Sequence, residues 1–482
     1  MCFDNINGDF FQLKNEEIRV HKNDFVEFKY DKPKSEAFVQ CQTCRREFHE
    51  TCVLHSRASD DPFYCKKCSK LPQSLPRASK LASTECDRHI NEFLKNQGVN
   101  QNDTITIRVL SDSLDMIYSM KKLKEFIKGD TNFSCRNCCL FAFFDTGSGN
   151  DICFFAVYFQ IYGTDAPPSL QMTAYINYLD SVNLLPSLNR TKIYQSILVG
   201  LLSYFKTQSV EKVLLWSCPA QQNQDYVLCA KPSLMKMPTQ EMLNAWYLKI
   251  MRLGSRLEVI KSFQGIGEYA VQKNWNDIEC VPLIEDDLLC VKLKELLNSV
   301  KREKSKLARE TEKLDRNLHK KKKNMTKAKT EALRAKLDVH IKAIEDFDMK
   351  EKLKSMLFKE MEYYNGQYFM IHLTTGTSIK RETSPAHPLS ESHKWLSDRH
   401  VFWDFFSTSL LEFSSEKRAK FSTFVMLRRI FVENQICIEC AKKSPRELSV
   451  SNRHFHFISP NDHILFFSAQ HCVKCATRIA AH

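Results

Sequence analysis

The chain has 482 residues, enough for roughly two to four domains with a sizeable core. Its 43% hydrophobic and 11% aromatic content excludes a disordered chain, and no run reaches the ~18 apolar residues of a helical membrane span. The net charge of +13 arises from 70 basic against 57 acidic residues, and much of that excess is local, so it points only weakly to nucleic acid or acidic partners. Residues 1–35 are polar and without a clear period. They lack the basic-then-apolar order of a secretory signal, so the expectation is a soluble intracellular protein. A dense Cys/His cluster fills 38–70, and the Pro/Ser/Lys stretch 71–84 reads as a surface linker. From 85 the pattern is mixed. "CDRHINEFLKNQ" predicts a helix, while "DTITIRVLS", "LFAFFD" and "DICFFAVYFQIYG" predict strands, the last buried on both faces. "YINYLDSV" reads as a strand entering a polar loop. "RTKIYQSILVGLLSYFKTQ" follows with helical spacing, "VEKVLLWSCPA" as a strand and "PTQEMLNAWYLKIMRLG" as a helix capped by Thr239. Residues 292–345 are Lys- and Glu-rich around "HKKKKNMTKAK", consistent with an exposed helix or an unstructured insert. Globular texture returns over 350–432, with a strand at "QYFMIHL" and helices at "DRHVFWDFFSTSLLEF" and "KRAKFSTFVMLRRIF".

Nineteen cysteines are many for a reducing compartment, where pairs at CxxC spacing read as zinc ligands. "CQTCRREFHETCVLHSRASDDPFYCKKC" supplies Cys41, Cys44, His49, Cys52, Cys65 and Cys68. Zinc takes four such ligands in a tetrahedron, and each CxxC turn delivers two. The run resembles the later part of a PHD finger, whose cross-braced order implies one site from Cys41, Cys44, Cys65 and Cys68. His49 and Cys52 would then be half of a second site whose upstream pair is missing, because that metal is absent or the chain lacks an N-terminal piece. A further quartet is expected from Cys437, Cys440, Cys472 and Cys475, with His454, His456 and His471 as rival ligands. "CRNCC" precedes the strand-like "LFAFF", has no second pair nearby and reads as structural thiols.

The segment Tyr175–Tyr194 raises the question of a ligand. A strand, a polar loop with Asp180 and Ser181, and a helix beginning at Arg190-Thr191 suit an anion, because free N–H groups and an arginine fork meet there. The chain holds only 12 glycines and no GxGxxG or GxxxxGK[ST] motif, so side chains rather than a glycine nest would hold a phosphate.

"CFFAVYFQIYGTDAPP", "YINYLDSV", "RTKIYQSILVGLLSYF", "LLWSCPA", "DYVLCAKP", "MPTQEMLNAWY" and "LEFSSEKRAKFST" follow one another in an order that resembles the CREB-binding protein family of histone acetyltransferases. The resemblance runs from about 38 to 440. It implies an α+β fold: a central mixed β-sheet flanked by helices over 85–432, with a small zinc-binding module at each end (1–70 and 433–482). It also implies a lysine acetyltransferase using acetyl-CoA, acting on histone tails and other lysine-rich proteins. Transcription-factor partners, coactivation and a nuclear location come with it, without sequence-specific DNA binding or a membrane. Carried across by position, Asp180, Ser181, Arg190 and Thr191 would line the cofactor, with Trp246 and Tyr247 at its acetyl end. Tyr247 would protonate the departing thiolate. Trp216 would wall the lysine tunnel with Tyr178, Tyr194 and Tyr226, and Glu285 would attract the substrate. Cys218 is a nucleophile only in principle, since no base stands beside it in the sequence.

Several positions depart from the family pattern. Met242 stands where an arginine is usual, removing one phosphate contact. Ser397 and His400 fall where acidic groove residues are expected, with Asp398 as a replacement in a shifted register. No stretch resembles a bromodomain, and the C-terminal cysteines lack the full ZZ-type set. The family's autoacetylated regulatory insert has its counterpart in the Lys320–Lys323 block, which composition alone reads as a solvated helix face. Two classes of function therefore stand: an active acetyltransferase, and a non-catalytic zinc-containing scaffold that keeps the fold.

Overall fold

Helix α1, Glu85–Asn96, starts where the sequence supplies a cap: Thr84 accepts from the Asp87 N–H and Asp87 accepts from the Thr84 N–H. Asp87 is fully buried, pairs with Arg108 at 3.6 Å and accepts from the Val109 N–H, so the cap also ties α1 to the sheet. The computed structural model describes residues 36–57, 62–69, 75–118 except 101 and 103, 132–184 except 148, 190–232 except 221–224, 235–321, 326–374 and 394–433. Beyond these it describes two short strand pairs, 10–12 with 19–21 and 456–458 with 464–466. The chain divides into two compact units, Met1–Cys65 and Lys66–His482.

The second unit is built on a seven-stranded sheet. In chain order its strands are β1 (Ile105–Tyr118), β2 (Asn132–Asp145), β3 (Asp151–Tyr162), β4 (Thr173–Ser181), β5 (Lys212–Trp216), β6 (Ile260–Gly265) and β7 (Tyr368–Leu373). Their spatial order is β6-β7-β5-β4-β3-β2-β1. Only β4 and β5 run parallel, joined through helix α2, Arg190–Thr207, so the sheet is mixed as expected. Strand β3 is buried at every residue but Gln160, as its unbroken apolar run predicts. "CRNCC" lies within β2, and Cys135, Cys138 and Cys139 are buried there.

Helix α3, Gln240–Arg256, carries the Trp-Tyr pair and is capped by Thr239, which accepts from the Met242 N–H. Gly254 lets α3 approach the strand beside it: a Cβ there would sit 2.6 Å from Ile260 Cδ1. After the short α4, Ile266–Gln272, come α5 (Leu288–Lys321), α6 (Lys327–Glu345) and α7 (Met349–Tyr363). Leu289, Leu293 and Leu297 of α5 share a core with Leu353, Leu357 and Met361 of α7 and with Tyr175, Leu214 and Tyr368 of the sheet. Helices α8, Arg399–Thr408, and α9, Glu416–Glu433, complete the described body. On α9, Thr423 accepts from the Cys153 N–H in β3 at 2.8 Å.

Two boundaries differ from the sequence reading. The expected linker 71–84 is anchored from Arg77 onward. Arg77 pairs with Asp145 and Asp151, the Ala78 N–H donates to Asp151, and Ala78 and Leu81 are buried. Those two apolar side chains were masked by the surrounding Ser, Pro and Lys. The expected insert at 292–345 is helical, but Leu293, Leu297 and Val300 are core, so exposure begins after the first turns of α5. Cys437, Cys440, Cys472 and Cys475, together with the Lys320–Lys323 side chains, lie outside the described residues.

Candidate active site and metal centre

The sheet delivers three chain segments to one place: the end of β4, the end of β5 and the second turn of α3. At the β5 end, Trp216 leads into a turn that α3 holds. Ser217 Oγ donates to Asn244 Oδ1 at 2.6 Å, and Gln240 Nε2 donates to the Ser217 carbonyl at 2.7 Å and to Asn244 Oδ1 at 2.8 Å. Gln240 and Asn244 are one turn apart, so they face the same way as the helix brings Tyr247 in. Tyr247 is buried and meets Trp246 edge-on at 5.0 Å. Burial, then the neighbouring Cys218, push its hydroxyl above the ordinary phenol range. Tyr226 donates to the Cys218 carbonyl at 3.2 Å and is pushed up by burial, by Cys218 and by Tyr247. Cys218, Tyr226 and Tyr247 are therefore neighbours, with Trp216 two residues before Cys218 at the end of β5.

Asp180 organises the facing loop. Its carboxylate accepts from the Val227 and Leu228 N–H groups, both at 2.9 Å, and from the Ser181 N–H at 2.8 Å. It pairs with Lys231 at 2.6 Å. Its oxygens are thus committed to the backbone that carries Tyr226. Arg399, at the start of α8, donates to the Tyr226 carbonyl at 2.6 Å and lies 4.5 Å from the ring centre of Tyr178. Tyr194, one turn into α2, donates to the Val182 carbonyl at 3.0 Å and stacks near Phe154 and Phe155. Burial pushes its phenol up to about 12 against the lowering effect of Arg190. Arg190 and Thr191 occupy the first turn of α2, half-buried and exposed respectively. Four buried polar atoms on β3, β4, β5 and α8 have no partner among the described residues: Tyr158 Oη, Asn177 Oδ1, Trp216 Nε1 and Arg399 Nε. Asn177 is the extra residue of a β4 bulge, between Tyr178 opposite Tyr158 and Ile176 opposite Phe159.

Glu285 is exposed and pairs with Lys294 at 3.5 Å. Asp398 caps α8, accepting from the His400 N–H at 2.7 Å, and Met242 is 63% exposed on the first turn of α3. Gln240, Asn244, Lys231 and Arg399 were not singled out from the sequence. Only the Thr239 cap, which fixes the phase of α3, could have flagged Gln240 and Asn244.

In the metal region, the sulfurs of Cys41, Cys44, Cys65 and Cys68 all lie within 4.8 Å of one another. Cys44 and Cys65 are 3.8 Å apart, close to the ~3.8 Å edge of a tetrahedron with ~2.3 Å zinc–sulfur bonds. The Cys65 N–H points at the Cys41 sulfur, and backbone N–H groups of Cys44 and Cys65 pull the Cys41 thiol down to about 6. This donor set fits zinc. Cys52 lies 3.8 Å from His49 Nδ1, and no second pair completes them among the described residues.

Residues 90–385 match the histone acetyltransferase domain KAT3. Protein cbp-1 of Caenorhabditis elegans is 31% identical over 84% of this chain and 21% of its own length. The probable histone acetyltransferase HAC-like 3 of Oryza sativa subsp. japonica is 26% identical over 51% of this chain and 23% of its own length. The chain thus spans about a fifth of the length of these relatives. A crystal structure of Rtt109 from Aspergillus fumigatus superposes with a TM-score of 0.38 at 11% identity, covering 68% of this chain and 91% of that one. With most of its length inside the matched domain, the chain belongs to the KAT3 histone acetyltransferase family.

Proposed function

We propose that this chain transfers the acetyl group of acetyl-CoA to lysine side chains of histones and similar basic proteins. The observation that carries the reading is Tyr247. It is a buried phenol close to Cys218 and Tyr226, neutral at pH 7 as an ordinary tyrosine is and pushed further up by burial and by Cys218. A lysine amine attacking a thioester carbonyl forms the amide and expels a thiolate. The thiolate needs a proton, and a neutral phenol beside it supplies one. The aromatic lining favours the neutral, nucleophilic amine by desolvation. Arg190 and Thr191, on the first turn of α2, would meet the cofactor's phosphates. The unpartnered Trp216 Nε1, Asn177 Oδ1, Tyr158 Oη and Arg399 Nε offer hydrogen-bonding capacity that a polar cosubstrate would use. Zinc at Cys41, Cys44, Cys65 and Cys68 would brace the N-terminal module and take no part in transfer. Coactivation in the nucleus, through transcription-factor partners, follows as the biological setting.

The non-catalytic scaffold is favoured by two observations: the exposed Met242, where a phosphate contact is expected, and the engagement of Glu285 by Lys294. Incubation with acetyl-CoA and a lysine-rich histone tail decides between them. Release of free CoA thiol with acetylation of the tail is the expected result. Absence of both, in a folded protein that binds CoA, establishes the scaffold.

A further inference from the structure

Helices α2 and α3 border a groove of about 740 Å³ that the acetyl-transfer reading does not use. Its size suits one small molecule. Four cations line it, Lys192 from α2 and Lys249, Arg252 and Arg256 from α3, and no carboxylate does. All four are exposed, and none has an ion-pair partner among the described residues. Three of them succeed one another at three- and four-residue spacing on α3, an arrangement that repels itself along a helix unless an anion neutralises it. The helix C-terminus favours Arg256 alone. The rest of the lining is not that of a solvated basic face. The half-buried Phe263 and Leu253 form an apolar wall, with Gln97 and Gln195 beside it as amide donors and acceptors.

An apolar wall with amides on one side and unneutralised cations on the other matches an aromatic base joined to phosphate. We propose that this groove binds a phosphorylated nucleotide, its base against Phe263 and Leu253 and its phosphates on Lys192, Lys249, Arg252 and Arg256. Two sources share that chemistry: a free nucleotide, and the nucleotide end of coenzyme A. Helix register connects the groove to the residues proposed for the cofactor. Trp246, Lys249, Leu253 and Arg256 recur along one stripe of α3, and Thr191 and Gln195 along one of α2. The coenzyme A source rests on the acetyl-CoA reading; the site itself does not.

Adenosine 3′,5′-bisphosphate is the probe, titrated calorimetrically into the full chain and into an Arg252→Ala/Arg256→Ala variant. Saturable one-to-one binding is expected, weakened roughly 10- to 1,000-fold in the variant and weakened by added salt. A Lys192→Ala/Lys249→Ala variant with unchanged melting should show the same direction of loss. No binding by the wild type, or equal binding by both variants, overturns the site. Parallel titrations with CoA and dephospho-CoA identify the source. A preference for CoA that the arginine variant loses assigns the nucleotide end of the cofactor. Nucleotide binding that persists unchanged in saturating CoA assigns a free nucleotide. Nucleotide binding with no binding of either CoA form sinks the acetyl-CoA reading and leaves the groove standing.

Discussion

Two buried side chains at the candidate centre have separable jobs, and substitution should separate them. Tyr247→Phe keeps the ring and removes the proton. Acetyl transfer should fall by roughly 100- to 10,000-fold, while CoA affinity measured by calorimetry stays nearly constant. An unchanged rate would remove Tyr247 from the mechanism. Asp180 acts at one remove, because its oxygens hold the Val227 and Leu228 N–H groups and the nearly buried Lys231. Asp180→Ala removes that ammonium's ion-pair partner and leaves it only the weaker field of Asp225. It should cost about 3–5 kcal/mol in denaturant unfolding, and lower activity through the displaced Tyr226 loop. Lys231→Met in the same background should recover stability but not the loop hydrogen bonds; no recovery would mean that the pair is not the cause. These two residues also mark what the sequence could tell. The place of Tyr247 on a helix capped by Thr239 was legible, and the role proposed for it rests on a specific ordered series of segments. The use of Asp180 was not, because the N–H groups it binds lie some 47 residues away and leave no spacing signal. Arg399 is hidden in the same way: its partners Tyr178 and Tyr226 come from other parts of the chain.

At the scale of elements, β4, β7 and α5 meet on a single carboxyl. Asp287 is buried just before α5 and accepts from Tyr175 of β4 at 2.7 Å, from Tyr368 of β7 at 3.0 Å and from the Leu289 N–H. Burial raises it from 3.8 to about 6 despite those donors. A carboxyl raised on folding binds its proton more tightly in the native state. Its contribution is therefore most favourable below about pH 4, is lost as pH rises toward 6, and is flat above that. The span is about 3 kcal/mol. Asp287→Asn carries no such charge, so the stability difference between variant and wild type should move in the variant's favour by about that amount between pH 4 and pH 7. Denaturant titrations that give a pH-independent difference would refute the assignment. Element types were readable where one force dominates: the unbroken apolar run of β3, the Thr239 cap, the helical stripe of α2. Lengths were less so. Strands β1 and β2 extend well past "DTITIRVLS" and "LFAFFD", because pairing with each other and with β3 carries polar stretches such as Ser111–Asp115 and "CRNCC" into the ladder. The bulge at Asn177 is likewise set by its neighbour strand and not by its own sequence.

The parts of the molecule differ in the means available to hold them. The sheet and its helices bury a large apolar core, including Phe141, Phe143, Phe154, Phe155, Phe159 and Phe205. Among the described residues of 36–69 the buried apolar set is small: Val39 and Phe63 with the thiols of Cys41 and Cys65. So small an apolar set cannot offset the ordering entropy of the backbone, and modules of this size need a staple. Four sulfurs within 4.8 Å of one another would provide it once zinc is bound, since zinc-finger peptides draw about 10 kcal/mol or more from metal binding. Metal analysis should find one zinc per chain from this quartet, and a second if Cys437, Cys440, Cys472 and Cys475 also bind. Cys65→Ser or exhaustive chelation should make 36–69 sensitive to protease. The sheet's main unfolding transition should stay in place, because none of the four sulfurs belongs to the apolar core around β3. Two results would sink the proposal: a folded, unchelated sample without zinc, and a chelated sample in which 36–69 resists protease as before. A chelator that instead shifts the main transition would mean that the metal braces the acetyltransferase body directly.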